Sequence, residues 1–474
     1  MAAPTPSWTI ATPLARFGLP TSPDSALLLG LLAALLLTTA ACAPSASTNP
    51  SSSSSGASPQ ASTTVSYSQP SARQLAADGW PGFRGPSGNG IAGESDVPTS
   101  WSDDEHMRWK LELPGAGSSS PVVWGDRVYI TAYSGYFVPG QDRGSIDELQ
   151  RHLLAIDRAS GDLIWERKIA AKLPEEESIR DHGFAANTPA VDDQSVYVFF
   201  GKSGVFAFDH DGNQQWTASV GEQTHGWGSG ASPLLVDDLV VINASVESGR
   251  LIALRRDNGE QVWEVGGVRE SWNTPIIAQA ESGRRELVFA IQGSIWGLDP
   301  ATGERFWECD TDIGWYMVPS IVANQGIVYC LGGRSGITAL AVRLGGSGNV
   351  TDSHRLWTSQ KGTNVTSPIV SGDYLYWMQD QQGIAYCADL ATGEIVYEER
   401  LNRAGQVYAS AILVGDRIYY VTRDGKTFVV AARPEFELLA TNQLSDRGVF
   451  DASPAVADDH LFLRSHNYLY CLGQ

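Results

Sequence analysis

The chain has 474 residues, of which 42% are hydrophobic and 18% are charged, as in an ordinary globular protein. Its formal net charge is −20 and no stretch forms a basic stripe, which argues against a nucleic-acid-binding surface. The 49 glycines indicate many tight turns between short strands, and the 15 tryptophans indicate a packing position that recurs along the chain.

The N-terminus has the features of a targeting segment. Residues 26–37 form an apolar run that is too short to cross a bilayer but suits the hydrophobic region of a signal peptide. Cys42 follows "TTAA", which resembles the lipobox of bacterial lipoproteins, although Leu is usual in place of the second Thr. The pattern predicts a lipoprotein-type signal peptide over residues 1–41 and a lipid anchor at Cys42. An ordinary cleaved signal that leaves a free protein is the alternative, and both predict an exported protein of the periplasm or cell surface.

Residues 42–77 are rich in Ser, Thr, Pro and Ala and contain almost no large apolar side chains. Such a composition cannot bury enough surface to fold. We therefore predict a disordered tether, which would let a folded domain stand off a membrane. A lead-in segment over residues 78–106 follows, and it contains "WPGFRGPSGNG" from Trp80 onward.

Two sequence patterns recur through the rest of the chain. The first is a small residue, Asp, a turn, Gly and an aromatic residue, and it ends at Trp165, Trp216, Trp263, Trp307 and Tyr397. The second is an apolar strand, a polar turn and another strand, headed by Pro121, Pro189, Pro233, Pro275, Pro319, Pro368, Ala411 and Pro454. After a longer first interval, these anchors lie about 43 residues apart.

Each interval accommodates four short strands, which is the size of a β-propeller blade. The last repeat ends at "YLYCLG" without a fourth strand, and "MRWKLEL", around Trp109, is an unpaired strand before the first repeat. The sequence therefore predicts an all-β fold over residues 107–474, an eight-bladed β-propeller of four-stranded blades. We expect an N-terminal strand to complete the C-terminal blade. The Asp and Gly should form the turn into each outer strand, and the aromatic residue should pack between blades.

The A-x-D-x-x-x-G-x-x-x-W pattern resembles the tryptophan-docking motif of the PQQ-type (pyrrolo-quinoline quinone) eight-bladed propellers. That superfamily includes quinoprotein alcohol dehydrogenases and the lipoprotein propeller of the outer-membrane β-barrel assembly machinery. The segments "WPGFRGPSGNG", "GFAANTPAVDD" and "FFGKSGVFAFDHDG" are similar to a bacterial branch of PQQ-binding-like repeat proteins. The resemblance covers about residues 78–474 and implies the propeller fold.

A quinoprotein would need a vicinal Cys pair over the cofactor, a Glu/Asn/Asp set that binds calcium, and an Asp base. The chain has no Cys-Cys dipeptide. Its other cysteines lack metal-ligand spacing, and most lie in strand patterns typical of core residues. We expect no cofactor, no metal site and no catalytic residue, with bound PQQ and calcium as the alternative. Residues 345–354, "GGSGNVTDSH", are expected to form a turn insertion, with a cation-binding loop as the alternative.

The stretch before each anchor leads into an inner strand and should line the mouth of a central funnel. The aromatic and polar residues of these stretches are His182, Phe184, Asn187, His225, Trp227, Trp272, Asn273, Trp315, Tyr316, Asn364, Tyr408, Phe450 and Asp451. Rigid aromatic rings with a few polar groups form a concave binding surface. Aromatic rings that pack against one another would instead plug the channel, and the sequence leaves both readings open.

These features predict an exported, lipid-anchored propeller that acts as a non-enzymatic scaffold and binds an envelope protein or peptide, but no nucleic acid. The alternative is an oxidoreductase or sensor that binds a quinone or a sugar in the funnel. The missing vicinal Cys pair favours the scaffold, and the sequence does not decide whether the protein is an enzyme.

Overall fold

The computed structural model describes residues 79–180, 182–334 and 338–474. The predicted signal peptide, the tether over residues 42–77 and the lipid anchor at Cys42 lie outside these ranges. No helix within the described ranges has the length and apolar character needed to cross a membrane.

The strands of the described residues form eight sheets, and each sheet contains the four strands of one blade. Three strands precede the first repeat: β1 (Gly79–Trp80), β2 (Ile91–Ala92) and β3 (Met107–Glu112). Blade 1 contains β4 (Val122–Trp124), β5 (Arg127–Ser134), β6 (Gln150–Asp157) and β7 (Leu163–Ala170). Blade 2 contains β8 (Ala190–Val191), β9 (Ser195–Phe199), β10 (Val205–Asp209) and β11 (Gln214–Ala218). Blade 3 contains β12 (Leu234–Val236), β13 (Leu239–Ala244), β14 (Arg250–Arg255) and β15 (Gln261–Gly266).

The remaining blades follow the same plan. Blade 4 contains β16 (Ile276–Gln279), β17 (Arg285–Ile291), β18 (Ser294–Leu298) and β19 (Arg305–Asp310). Blade 5 contains β20 (Val322–Asn324), β21 (Ile327–Gly332), β22 (Thr338–Arg343) and, after the short β23 (Gly348–Asn349), β24 (Arg355–Ser359). Blade 6 contains β25 (Ile369–Ser371), β26 (Tyr374–Gln379), β27 (Ile384–Asp389) and β28 (Ile395–Arg400). Blade 7 contains β29 (Ile412–Val414), β30 (Arg417–Val421), β31 (Lys426–Ala431) and β32 (Leu438–Gln443), and blade 8 contains β33 (Ala455–Ala457), β34 (His460–Arg464) and β35 (Tyr468–Gly473).

Short helical segments occur only as single turns in the described chain: two 3-10 turns (Ile146–Glu148 and Gly201–Ser203) and one α-helical turn (Thr351–His354). First strands of neighbouring blades contact one another around the central axis, as β4 does with β8 and β33. The fourth strands therefore form the outer rim.

The N-terminal strand closes the ring. β3 pairs antiparallel with β35, with Trp109 opposite Cys471, and so supplies the fourth strand of blade 8. Trp109 is buried, and its ring lies 6.0 Å from the ring of Phe462. The predicted closure is confirmed, and it leaves no unpaired strand between the first and last blades.

The recurring tryptophan of one blade packs on the turn glycine of the next. Gly161 of blade 1 has φ +78°, and a Cβ built there would lie 2.6 Å from the Trp109 ring. The Trp109 Nε1 donates to the Arg158 carbonyl of the same turn at 2.9 Å. The Asp157 carboxylate accepts the Ser160 N–H at 2.8 Å and shapes that turn. Equivalent contacts join Trp216 to Gly259, Trp263 to Gly303 and Trp357 to Gly393.

Trp307 departs from this pattern because blade 5 replaces the glycine turn by a longer connection. The Trp307 ring lies against Gly297 of its own blade, and its Nε1 donates to the buried carboxylate of Glu286 at 2.6 Å. In the insertion, β23 pairs parallel with β19, and a helical turn follows. The insertion over residues 345–354 thus adds a fifth strand to blade 4.

The lead-in, residues 79–106, crosses the ring and contacts the first strands of several blades. β1 pairs antiparallel with β4 of blade 1, and β2 pairs parallel with β29 of blade 7. Hydrogen bonds tie the segment to three further blades: Val191 N–H to the Pro81 carbonyl (2.8 Å), Ala323 N–H to Asn89 Oδ1 (3.2 Å) and Arg84 Nη2 to the Pro368 carbonyl (2.6 Å). Trp80 and Arg84 are each only 1% exposed. The lead-in therefore packs into the propeller across its central axis, which the sequence patterns did not predict.

The cysteines of the described chain are core residues. The thiols of Cys309, Cys330, Cys387 and Cys471 are buried and form no disulfide. Burial raises the pKa of Cys387 and of Cys471 to about 12, so neither thiol ionises at neutral pH.

Candidate functional site

The loops of each blade alternate between the two ends of the ring, because successive strands run antiparallel. The connections between second and third strands lie at the same end as the connections between blades. We call this end the funnel face. Two long insertions, residues 135–149 and 171–189, both belong to it. The opposite end carries short turns and, in blade 5, the insertion over residues 345–354.

A cavity of about 630 Å³ opens on the funnel face. This volume lies in the range of about 300–1,000 Å³ that small-ligand sites occupy. Residues predicted to line a funnel and found on its wall are His182, Trp227, Trp272, Tyr316, Asn364, Tyr408 and Asp451.

One wall of the cavity is aromatic. The Tyr316 ring lies 5.9 Å from the ring of Trp227 and 5.9 Å from that of Trp272. The Trp272 Nε1 donates to the Gly228 carbonyl at 2.8 Å, which fixes the indole. The Arg180 guanidinium lies 5.4 Å from the centre of the Trp227 ring, a cation–π contact.

The opposite wall is a chain of hydrogen-bonded polar side chains. Asp380 is 1% exposed, and its carboxylate accepts the Thr363 hydroxyl at 3.2 Å and the Gln381 Nε2–H at 2.8 Å. The Gln381 Oε1 in turn accepts the Gln406 Nε2–H at 2.9 Å. Arg423 donates to the Gln406 Oε1 at 3.3 Å. The amides are therefore held in one orientation before any ligand arrives.

Arg423 extends this chain to Asp451. Its Nε donates to one carboxylate oxygen of Asp451 at 2.7 Å and its Nη2 to the other at 3.2 Å. The Arg423 guanidinium also lies 4.2 Å from the Tyr408 ring centre. His466 lies 3.7 Å from the same carboxylate. Burial, together with the charges of Arg464 and Arg423, lowers the pKa of His466 to about 4, so this imidazole is neutral at pH 7.

The other predicted funnel residues lie elsewhere. Phe184, Asn187 and His225 line a smaller cavity beneath the second insertion. Asn273 and Phe450 are 1% exposed: the Asn273 Nδ2 donates to the Ala290 carbonyl at 2.7 Å, and Phe450 stacks on Tyr470. Trp315 is 43% exposed beside Tyr316. Side chains in these short stretches alternate between cavity and core, so adjacent residues do not share one surface.

The smaller cavity has room for about one water molecule, at about 20 Å³. The buried ion pair of Arg151 and Glu175 (2.6 Å) lies on its wall. Glu247 is also buried there, and its Oε2 has no hydrogen-bond partner among the described residues. Burial raises the pKa of Glu247 to about 7.

Further polar residues of the main cavity were absent from the sequence-based set: Ser118, Arg180, Arg334, Gln379, Asp380, Gln381 and Gln406. Asp380, Gln381 and Arg334 belong to connections between second and third strands, and Gln379 is the last residue of the second strand β26. Those connections lie on the funnel face, as the inter-blade stretches do, because the strands of a blade run antiparallel. Strand order alone could have pointed to them.

The cavity does not match the residues that PQQ and calcium need. It has no vicinal Cys pair, since the chain has none. Its two carboxylates, Asp380 and Asp451, accept hydrogen bonds from Thr363, Gln381 and Arg423. Among the described residues, no group of three or more His, Cys, Asp or Glu side chains is arranged to hold a metal ion.

The repeat can be compared with known families. A family model described as outer membrane protein assembly factor BamB matches residues 138–266 and 268–435, more than half of the chain. The chain belongs to the BamB family. This confirms the resemblance to the PQQ-type propellers.

Named members of the BamB family align along most of their length. The outer membrane protein assembly factor BamB of Burkholderia pseudomallei is 26% identical over 390 residues, which cover 76% of this chain and 92% of that protein. The protein of the same name from Shewanella oneidensis is 25% identical over 333 residues, which cover 58% of this chain and 79% of that protein.

Solved structures show the same fold. BamB of Moraxella catarrhalis superposes with a TM-score of 0.56 at 15% identity and covers 78% of this chain and 99% of its own. The quinohemoprotein alcohol dehydrogenase of Comamonas testosteroni superposes with a TM-score of 0.58 at 12% identity and covers 85% of this chain and 82% of its own. At these identities the likeness concerns the fold alone, and it carries neither assembly nor alcohol oxidation to this chain.

Proposed function

We propose that this protein is an exported scaffold of the cell envelope that binds a protein component of outer-membrane β-barrel assembly and catalyses no reaction. The observation that carries the proposal is the BamB family match along the propeller, with relatives named for outer membrane protein assembly. A closed ring suits such a role, because a propeller has only short strand edges at its rim and presents loops for binding at its faces.

The funnel face offers the docking surface. Three large apolar side chains stand out from its loops: Phe137 (38% exposed), Leu173 (40%) and Trp315 (43%). Other exposed apolar residues, such as Ile164, Val262 and Val396, occupy equivalent places in outer strands and recur with the repeat. Those on the funnel face do not recur, and such apolar side chains mark an interaction site better than a periodic rim does.

Phe137 and Leu173 are presented by insertions that brace each other. The Tyr136 hydroxyl donates to the Glu177 carbonyl at 2.6 Å, and Ile179 is buried in the same cluster of apolar side chains. A preorganised surface loses little conformational entropy on binding, which favours docking of a folded partner.

The N-terminal features support membrane anchoring. Lipidation of Cys42 would add roughly 0.8 kcal/mol of membrane affinity for each buried methylene, and several acyl chains hold a protein firmly. The Ser- and Pro-rich residues 43–77 would give the propeller reach from that membrane. The acidic net charge of −20 disfavours direct adhesion of the propeller to anionic lipids.

A purification experiment tests the scaffold. The tagged full chain, isolated from detergent-solubilised membranes of its host, should bring down a component of the β-barrel assembly machinery that mass spectrometry identifies. The triple variant Phe137→Ser, Leu173→Ser, Trp315→Ser should lose that component. The matched variant Ile164→Ser, Val262→Ser, Val396→Ser, with similar exposure on the rim, should keep it. A Cys42→Ser chain should leave the membrane fraction, which tests the anchor separately.

Two results would contradict the proposal. If the assembly component is absent from the wild-type preparation, the protein does not act in that machinery. If purified protein binds one equivalent of PQQ in the presence of calcium and oxidises an alcohol or sugar, the oxidoreductase alternative holds.

A further inference from the structure

We propose that the main cavity of the funnel face is a carbohydrate-binding site. Its aromatic wall, formed by Trp227, Trp272 and Tyr316, would lie against the C–H face of a sugar ring, and its amide wall, formed by Gln381 and Gln406, would bind the hydroxyls. The inference rests on the cavity and not on the assembly role. It assigns a small ligand to the main cavity, for which the family relationship names no ligand.

The aromatic wall has the wrong shape for a flat ligand and a suitable one for a puckered ring. The Tyr316 ring is inclined at 48° to Trp227 and at 75° to Trp272. A planar quinone needs parallel faces on both sides, and these rings form a tilted cup instead. The faces of aromatic rings carry partial negative charge, and the C–H bonds of a sugar present partial positive charge to them.

The amide wall keeps unused hydrogen-bonding capacity. Each side-chain amide has two N–H donors and an oxygen with two lone pairs. Gln381 uses one N–H to donate to Asp380 and one lone pair to accept from Gln406. Gln406 uses one N–H to donate to Gln381 and one lone pair to accept from Arg423. Both side chains are exposed, so each can offer one donor and one acceptor to the cavity.

A hydroxyl group both donates and accepts, and it therefore matches this remaining pattern. Two linked amides present alternating donors and acceptors, which suits the adjacent hydroxyls of a sugar better than the single carbonyl edge of a quinone. The network positions the amides in advance, because Asp380 is buried and holds Gln381. Arg180 and Arg334 at the wall would additionally favour a sugar that carries a carboxylate.

Saturation-transfer NMR on the purified full chain tests the site, with trisaccharides of N-acetylglucosamine and of glucose as probes. At least one probe should receive saturation at the C–H protons of one ring. Gln406→Leu, at an exposed position, should fold normally and weaken binding by at least about tenfold, since two hydrogen bonds are lost. Trp227→Ala should abolish the transfer. The control variant Phe137→Ala, which removes an exposed aromatic ring outside the cavity, should leave it unchanged.

The inference is overturned if neither sugar receives saturation at millimolar concentration, or if binding survives both Gln406→Leu and Trp227→Ala. Saturation of an apolar peptide with none of the sugars would show that the cavity takes a peptide, and stoichiometric PQQ binding would show that it takes a quinone. Loss of sugar binding leaves copurification of the assembly component untouched, so the two proposals fail separately.

Discussion

One glycine in most blades determines how closely two blades approach. At Gly259, φ is +73° and the Trp216 ring of the preceding blade occupies the space where a side chain would begin. The indole Nε1 donates to the Arg256 carbonyl at 2.7 Å, so the ring cannot withdraw without losing a hydrogen bond. The glycine is thus needed twice, for its backbone conformation and for the missing Cβ.

These two needs can be separated experimentally. Gly259→Ala would place a Cβ 2.5 Å from the Trp216 ring, whereas Gly125→Ala, at φ +57°, meets nothing within 4 Å. In both variants the strained backbone should lower the free energy of unfolding by about 1 kcal/mol. Gly259→Ala should cost about 2 kcal/mol more, because the blades must shift apart. Chemical denaturation measures the free energy of unfolding of each variant. Equal values for Gly259→Ala and Gly125→Ala would mean that the Trp216 ring moves aside at no cost.

At the scale of elements, the N-terminal segment contributes two separate parts of the ring. β3 completes blade 8, and the lead-in before it crosses the central axis from β1 to β2. The lead-in also buries Trp101, whose ring stacks on Tyr419 at 6.3 Å and whose backbone N–H donates to Asn442 Oδ1 at 3.0 Å. The propeller therefore depends on residues that precede its first repeat.

Truncated chains measure these contributions in one thermal-melt series. A chain that starts at Asp78 should melt with the mature protein, because the tether adds no core. A chain that starts at Met107 loses Trp80 and Trp101 and should melt lower. A chain that starts at Pro114 also loses Trp109, and each buried tryptophan contributes about 3–5 kcal/mol. It should melt lowest and aggregate through the open edge of β35. If the last two chains melted together, β3 would not close the ring.

At the scale of the whole molecule, repetition made the architecture predictable. Eight spaced anchors, a missing last strand and an orphan strand at Trp109 together determine blade number and closure. The path of residues 81–90 could not be predicted, because a Gly-rich segment without periodicity carries no signal of its partners. The packing of Trp307 against Gly297 of its own blade could not be predicted either, because it depends on the length of a connection in the next blade.

The site was only partly predictable for a related reason. Inter-blade stretches were expected at the funnel, and they supply Trp227, Tyr316 and Tyr408. Within these stretches the side chains alternate between the cavity and the core, and Asn273 and Phe450 point into the core. The sequence of an irregular loop does not show which residues take which side. The amide wall comes largely from the other set of loops, whose composition differs in every blade.

The whole molecule combines a closed ring, an acidic surface and one elaborated face. Strand β3 completes blade 8, so every blade has four strands, and the net charge of −20 disfavours attraction to anionic surfaces. The insertions over residues 135–149 and 171–189, the cavity and the exposed apolar residues Phe137, Leu173 and Trp315 all lie on the funnel face. Specific recognition is therefore concentrated at one end of the ring.

The most direct measurement is the amount of β-barrel protein in the outer membrane of the host after deletion of this gene, read by quantitative mass spectrometry of isolated membranes. The scaffold account expects that amount to fall and to recover when the wild-type gene is returned. The variant with Phe137→Ser, Leu173→Ser and Trp315→Ser should not restore it. An unchanged amount of β-barrel proteins in the deletion strain would contradict the account.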